Sequence, residues 1–181
     1  MGTRHSGSDL VDLILDQWHR ETPDLDVSSI AVLGRLHRAD LRYQALVADE
    51  LGRFGLSTAA FDVLMSLRRS GPTYRRTAGE LAEVGLITSG GLTQRIDRLE
   101  RDGLVERTKE PGDRRKVFIQ LTDSGRKLID EVLQAHFTEQ NQMLAGLTQT
   151  EHRQLAKLLA RLEVSLEVYD GHQLGRAEPA G

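Results

Sequence analysis

Residues 103–125, GLVERTKEPGDRRKVFIQLTDSG, contain the pattern that decides the fold of this chain. Two runs rich in β-branched and apolar residues flank the sequence Glu-Pro-Gly-Asp at positions 110–113, whose proline fixes φ and whose glycine accepts a positive φ. Two such runs joined by a Pro-Gly turn predict a β-hairpin. Arg114 and Arg115 therefore lie at or near its exposed tip, where a charged pair serves either solubility or contact with a polyanion.

Charge is distributed unevenly along the chain. The formal net charge is −3, yet residues 68–116 carry 12 Lys or Arg against 8 Asp or Glu, and the remainder carries 12 against 19. A basic module in an otherwise acidic protein is expected where only one part of the chain meets a polyanion.

Composition and spacing exclude several classes of function. The 181 residues include no cysteine, so disulfides, zinc–thiolate sites and thiol redox sensing are excluded. The six histidines show neither His-x-x-x-His nor His-Glu-x-x-His spacing, and no Gly-x-Ser-x-Gly or phosphate-loop motif occurs. We therefore predict no enzyme, no metal site and no cofactor. Because no apolar run reaches the ~18 residues of a membrane span and no signal-peptide pattern is present, we expect a soluble cytoplasmic protein with no membrane partner.

Apolar spacing and capping signals predict helices on both sides of the hairpin. Two capping boxes, Thr77-x-x-Glu80 and Thr148-x-x-Glu151, are the clearest of these signals. The residues at or near which helices are predicted to begin are Ser8, Ser28 or Ser29, Ser57, Thr77, Thr88, Thr122 and Thr148.

Residues 57–121 have the order helix, helix, glycine-containing turn, helix, hairpin, which is typical of a winged helix-turn-helix. In the second of the paired helices Leu92, Ile96 and Leu99 share one buried face, so polar residues on the opposite face can reach a DNA major groove. The exposed polar positions of this helix are predicted to be Ser89, Thr93, Gln94, Asp97 and Arg98. The predicted contacts to double-stranded DNA are Thr88, Ser89, Gly90, Thr93, Gln94 and Arg98 on the helix and Arg114 and Arg115 on the wing.

The stretch TAGELAEVGLITSGGLTQRIDRLERDGLVERTKEPGDRRKVFIQLTDSG resembles the winged-helix core of the MarR family of bacterial transcription regulators. The resemblance spans residues 57–125, and its most specific part is Asp-Arg-Arg followed by Leu-Thr-x-x-Gly. It implies that Asp113 orients Arg115 toward DNA, which adds Asp113 to the predicted contacts. The simpler role, in which Asp113 completes the turn, is compatible with this one.

The resemblance also implies an obligate homodimer in which the terminal helices of two subunits interlock. The apolar stripes of residues 28–53 and 123–169 agree, because one chain offers them too few partners. Two recognition helices one DNA turn (~34–36 Å) apart would read a palindromic operator. The predicted fold is mainly α with a small β-hairpin wing (α+β). Its predicted parts are an N-terminal extension helix and first dimerisation helix (1–56), a winged helix-turn-helix core (57–121), C-terminal dimerisation helices (122–170) and a disordered tail (171–181).

The segment DLVDLILDQWHRETPDLD is additional to the basic plan and resembles the urate-responsive branch of the family, whose members carry an extra N-terminal helix bearing a tryptophan. The resemblance places a site for a small anionic effector at Trp18, Asp62, Arg95 and Arg107. A tryptophan can stack on a planar ring, a carboxylate can accept from ring N–H groups, and arginines can pair with anionic oxygens.

Alternatives to this effector site remain open. A tryptophan on an amphipathic helix is often a core residue, and an arginine on a recognition helix often contacts phosphate. Other purines and polycarboxylates such as trans-aconitate are alternative effectors. A winged helix that binds RNA or protein, with no small-molecule switch, is the main rival function.

Overall fold

A computed structural model describes residues 9–83, 91–110 and 113–176, with the backbone alone for 113–115 and 171–176. It confirms a mainly helical fold with a small antiparallel sheet. The elements are α1 (Leu10–Glu21), α2 (Ile30–Gly52), α3 (Thr58–Arg68), β1 (Arg75–Thr77), α4 (Ala78–Glu83), α5 (Leu92–Arg101), β2 (Val105–Glu110), β3 (Asp113–Leu121), α6 (Asp123–Met143) and α7 (Gln149–Arg176). Within the described ranges, no helix is long and apolar enough to cross a bilayer.

The chain divides into two compact units, residues 1–133 and 134–181. The first unit contains one apolar core, to which α2 to α6 and the sheet contribute. Its largest fully buried apolar side chains are Leu51, Leu64, Leu67, Leu81, Ile96, Leu99 and Ile129. Each such side chain stabilises the fold by roughly 1.5–3 kcal/mol relative to an exposed one, so this core fixes the position of α5.

The sheet has the strand order β1-β3-β2, and both pairings are antiparallel. Strands β2 and β3 form the predicted hairpin, in which Glu110 pairs with Asp113, while residues 111–112 lie outside the described ranges. The sequence does not predict β1, which pairs Arg75 with Gln120. A strand of three residues is too short to show alternation, and its partner lies far along the chain.

Four of the predicted helix starts are confirmed by hydrogen bonds from backbone N–H groups to side-chain oxygens. The Ser57 hydroxyl accepts from the N–H of Ala60, and both bonds of each predicted capping box are present. These bonds satisfy donors that the first turn of a helix leaves unpaired. The confirmed starts are Ser57, Thr77, Thr122 and Thr148.

Helix α1 is capped by Asp9, so the predicted cap Ser8, which lies outside the described ranges, is wrong. The Asp9 carboxylate accepts from the N–H of Val11 at 2.8 Å and of Asp12 at 3.0 Å, and the Asp12 carboxylate accepts from the N–H of Asp9 at 2.9 Å. Two carboxylates at a helix N-terminus also match the positive end of the helix dipole.

Helix α7 continues through Arg176, past the position where the disordered tail is predicted to begin. The prediction is therefore wrong for residues 171–176, and residues 177–181 lie outside the described ranges. A glycine inside a helix costs only about 1 kcal/mol, so Gly171 and Gly175 do not end it.

The Leu-Thr-x-x-Gly motif joins the wing to α6. The hydroxyl of Thr122 donates to the carbonyl oxygen of Gly103 at 2.7 Å and accepts from the N–H of Gly125 at 3.0 Å. A Cβ on Gly125 would collide with the carbonyl group of Leu104, whose carbon lies 2.8 Å from the Cβ position. Glycine is therefore required at 125 by the close approach of two backbones.

Candidate nucleic-acid interface

Helix α5 is held by a buried apolar face. Leu92, Ile96 and Leu99 are all buried in the core, as predicted, and the helix packs against α3, α4 and β2. These contacts fix the rotation of the helix about its axis, so the outward-facing residues are determined as well.

The start of α5 differs from the prediction. The helix begins at Leu92 after Gly91, whose φ of 77° is left-handed and suits glycine, so the predicted start at Thr88 is wrong. The predicted DNA contacts Thr88, Ser89 and Gly90 all lie outside the described residues.

The outward face of α5 carries the remaining helical contacts predicted for DNA. Thr93, Gln94 and Arg98 are all exposed. The Arg98 side chain is 77% exposed, and its Nε lies 4.0 Å from a carboxylate oxygen of Asp102. An exposed pair at that distance contributes at most about 1 kcal/mol, so it leaves Arg98 able to reach a phosphate or a base edge.

The predicted wing contacts, Asp113, Arg114 and Arg115, are the first three residues of β3. The backbone thus places them at the end of the hairpin, beside the connection at 111–112. Their side chains lie outside the described part of the chain.

Arg107 on β2 contacts two acidic residues of α5, an arrangement that we call the Arg107 clamp (Arg107, Asp97 and Glu100). Its Nη2 donates to Asp97 Oδ1 at 2.5 Å and its Nη1 donates to Glu100 Oε2. Its backbone N–H donates to Glu100 Oε1 at 3.2 Å. Asp97 is exposed, as predicted, but its carboxylate is engaged by the wing.

The clamp stabilises the charged form of Arg107. The hydrogen bond that Arg107 donates to Asp97 raises the pKa of the Arg107 guanidinium, desolvation opposes that shift, and the charge of Glu100 adds to it. Arg107 is thus a permanent cation held by two carboxylates. The sequence does not predict Glu100 as a functional residue; its one signal is the spacing of three from Asp97, which puts both acids on one side of the helix.

A cavity of about 490 Å³ lies between the turn that joins α2 to α3 and the helix α5. Arg95, a predicted effector residue, lines it together with Arg98 and Arg101. The other lining residues are Gly55, Leu56, Ser57, Ala60, Gly91, Gln94, Leu99 and Asp102. The cavity is therefore rich in arginine and can accommodate a small anion.

The other predicted effector residues lie on three further elements. Asp62 is half-buried on α3, Arg107 belongs to the clamp on β2, and Trp18 is 43% exposed on α1. The indole therefore lies outside the buried core of the single chain.

The helix that carries Trp18 is anchored to α2. The guanidinium of Arg35 donates to Asp9 at 2.9 Å and to Asp12 at 2.6 Å, and Val11 is buried. A Cβ on Gly34 would lie 3.4 Å from a methyl carbon of Val11, so the two helices are in direct contact at this point. Trp18 thus has a defined position relative to α2.

Comparisons with known proteins agree with this architecture. Residues 54–116 match the family model described as MarR family. The HTH-type transcriptional regulator PecS of Dickeya dadantii is 37% identical over 84% of this chain and 92% of its own length. A crystal structure of mutant MarR from Escherichia coli complexed with operator DNA has 30% identity, covers 80% of this chain and 96% of the other, and gives a TM-score of 0.63.

A third similar protein is Bordetella bronchiseptica BpsR, whose structure is described as showing a mechanism for regulation of its DNA binding by 6-hydroxynicotinic acid. It has 27% identity, covers 73% of this chain and 92% of the other, and gives a TM-score of 0.65. The degree and extent of the identity to PecS show a regulator of transcription and not an enzyme. The chain belongs to the MarR family of winged helix-turn-helix transcriptional regulators.

Proposed function

We propose that this protein is a repressor that binds a palindromic operator as a homodimer and releases it when a small, planar, anionic ring such as urate binds. The observation that carries the proposal is the division of α5 into a buried apolar face and an exposed polar face with Arg98. That division suits a helix lying in a major groove. The operator complex of the similar MarR protein supports the same use of the fold.

The proposed homodimer is supported by large apolar side chains that the single chain leaves exposed. They occur along α1, α2 and α7, at the spacing of one helix face in α7. Such stripes on separate helices exceed what a monomer ordinarily exposes. A second copy would cover them and place two recognition helices on one face of DNA.

The proposed DNA contacts include the wing residues Asp113, Arg114 and Arg115. Arg115→Ala is expected to weaken operator binding by ~1–3 kcal/mol and to reduce the salt dependence by about one phosphate contact, because a guanidinium no longer neutralises the duplex. The measurement is fluorescence anisotropy with a labelled palindrome from the protein's own promoter, at several salt concentrations.

The control for Arg115 is Arg153→Ala, which removes one exposed arginine of α7, outside the basic module. It is expected to leave operator affinity unchanged. Equal operator affinity of the Arg115→Ala protein and the unaltered protein would show that Arg115 serves solubility and does not contact DNA. Tighter binding to single-stranded RNA than to the duplex would favour the RNA-binding alternative.

The proposed effector site uses Trp18, Asp62, Arg95 and Arg107. Trp18→Ala is expected to raise the urate concentration needed for DNA release by roughly twofold to tenfold, since an aromatic stacking contact contributes ~0.5–1.5 kcal/mol. Operator affinity without urate should stay the same, because Trp18 lies outside the basic module. The measurement is a urate titration of the preformed protein–DNA complex, with trans-aconitate in parallel.

Gln17→Ala is the matched control for Trp18, because Gln17 is an exposed polar residue of the same helix. It should leave the urate response unchanged. If urate releases DNA from neither the unaltered protein nor the Trp18→Ala variant, or releases it equally from both, the proposed effector site is wrong. Release by trans-aconitate alone would favour a polycarboxylate effector.

A further inference from the structure

The Arg107 clamp connects the two elements that are expected to touch DNA. Arg107 is anchored in the sheet, where it pairs with the buried Ile119 of β3. From that position it contacts Asp97 and Glu100, on the flank of α5 that faces the wing. The recognition helix is therefore tied to the wing by charged hydrogen bonds as well as by the core.

The clamp adds a charged restraint to the packing that already holds this helix against α3, α4 and β2. α5 has ten residues, and its N-cap, Gly91, makes no side-chain capping bond. The buried apolar face sets the rotation of the helix, and the clamp holds the flank of the helix that faces the wing. A shift of a fraction of an ångström at a base edge is enough to weaken a bidentate contact, so this restraint bears on DNA affinity.

We propose that Arg107 is the positioning residue that couples the wing to the recognition helix, and that an anionic effector releases DNA by taking the place of Asp97 and Glu100 on its guanidinium. The second half rests on the proposed effector function. The N–H groups that Arg107 donates to Asp97 and Glu100 cannot donate to a bound anion at the same time. Clamp formation and anion binding therefore oppose each other, and by linkage each weakens the other equally.

The test is the double variant Asp97→Asn/Glu100→Gln, in which amides keep the shape and remove both charges. Operator affinity is expected to fall roughly fivefold to tenfold, and urate affinity to rise by a similar factor, because two competing charged pairs are weakened. Removing negative charge near DNA would by itself tighten binding, so loss of affinity cannot arise from simple electrostatics. Operator affinity is measured by anisotropy, and urate affinity by calorimetry on the full chain.

Two further variants complete the design. Glu106→Gln removes one negative charge at an exposed position of the same strand and should lower neither affinity. Arg107→Gln should lower operator and urate affinity together, in contrast to the double variant, which should move them in opposite directions. Circular dichroism should show the same helical content for all variants.

Each outcome decides one half of the proposal. Unchanged or tighter operator binding by the double variant would overturn the positioning role of Arg107. Loss of both operator and urate affinity in that variant would overturn the competition, because it would mean general loosening of the site. If urate fails to bind the unaltered protein, the proposed effector and the competition both fall, while operator affinity still decides the positioning role.

Discussion

Gly125→Ala is expected to destabilise the protein by about 3 kcal/mol and to weaken operator binding. A new Cβ would meet the backbone carbonyl of Leu104, which cannot rotate away as a flexible side chain can. Overpacking of this kind typically costs 1–3 kcal/mol, and the upper end is expected where the obstacle is backbone. Relief requires the first turn of α6 to move away from the turn that follows the recognition helix, so the Thr122 bridge between them is lost as well.

The control for Gly125 is Gly52→Ala near the end of α2, where an added Cβ meets nothing within 4 Å. Alanine favours a helix over glycine by up to ~1 kcal/mol, so this variant should be neutral or slightly more stable. Urea denaturation of both variants measures the difference. Equal stability of the Gly125→Ala and unaltered proteins would show that the junction can relax, and would remove the steric explanation of the motif.

Much of the helical part of this fold can be predicted from the sequence because its signals are local. The Thr77–Glu80 and Thr148–Glu151 boxes bring a hydroxyl and a carboxylate to the same helix turn, and the structure contains the bonds that they predict. The buried face of α5 follows in the same way from the helical spacing of its apolar residues.

The errors in helix starts have a local origin as well. Two neighbouring residues, Ser8 and Asp9, both qualify as the cap of α1, and the choice depends on the reciprocal bond that Asp12 makes to Asp9. At α5 the polar run 88–89 resembles a helix start, but Gly91 adopts a left-handed φ and the helix begins after it. Capping preferences alone do not separate such candidates.

Features that depend on distant parts of the chain could not be predicted. Strand β1 forms because residues 75–77 pair with residues 118–120 of β3, which lie far along the chain. Nothing in the sequence Arg-Arg-Thr by itself indicates a strand. The Arg107 clamp depends on the hairpin returning along α5, so Glu100 looks like an ordinary solvated acid in the sequence. The motif Leu-Thr-x-x-Gly could be recognised, but the collision that requires its glycine is visible only once Leu104 is placed beside it.

The proposed subunit interface is the site of the other large expected effect. Along α7, apolar residues recur at the spacing of one helix face and remain exposed, and Leu158 is 58% exposed. The double variant Leu158→Asp/Leu159→Asp is expected to abolish the dimer and, with it, operator binding. Burying a leucine contributes roughly 1.5–3 kcal/mol. The variant removes two leucines from each of two subunits, so the free energy of association falls by roughly 6–12 kcal/mol. Desolvating the new carboxylates would add a further cost.

That loss is comparable with the ~5–15 kcal/mol that typically separates a folded domain from its unfolded state, so the subunits should not persist as stable monomers. Light scattering at micromolar concentration should give twice the 20.2 kDa chain mass for the unaltered protein. The control Ala156→Asp/Ala160→Asp adds the same number of charges to the same helix, away from the leucine stripe, and should remain dimeric with only a slightly lower Tm. A well-folded unaltered protein of single-chain mass, or a leucine variant that stays dimeric with the Tm of the control, would show that the stripe of α7 does not hold two subunits together.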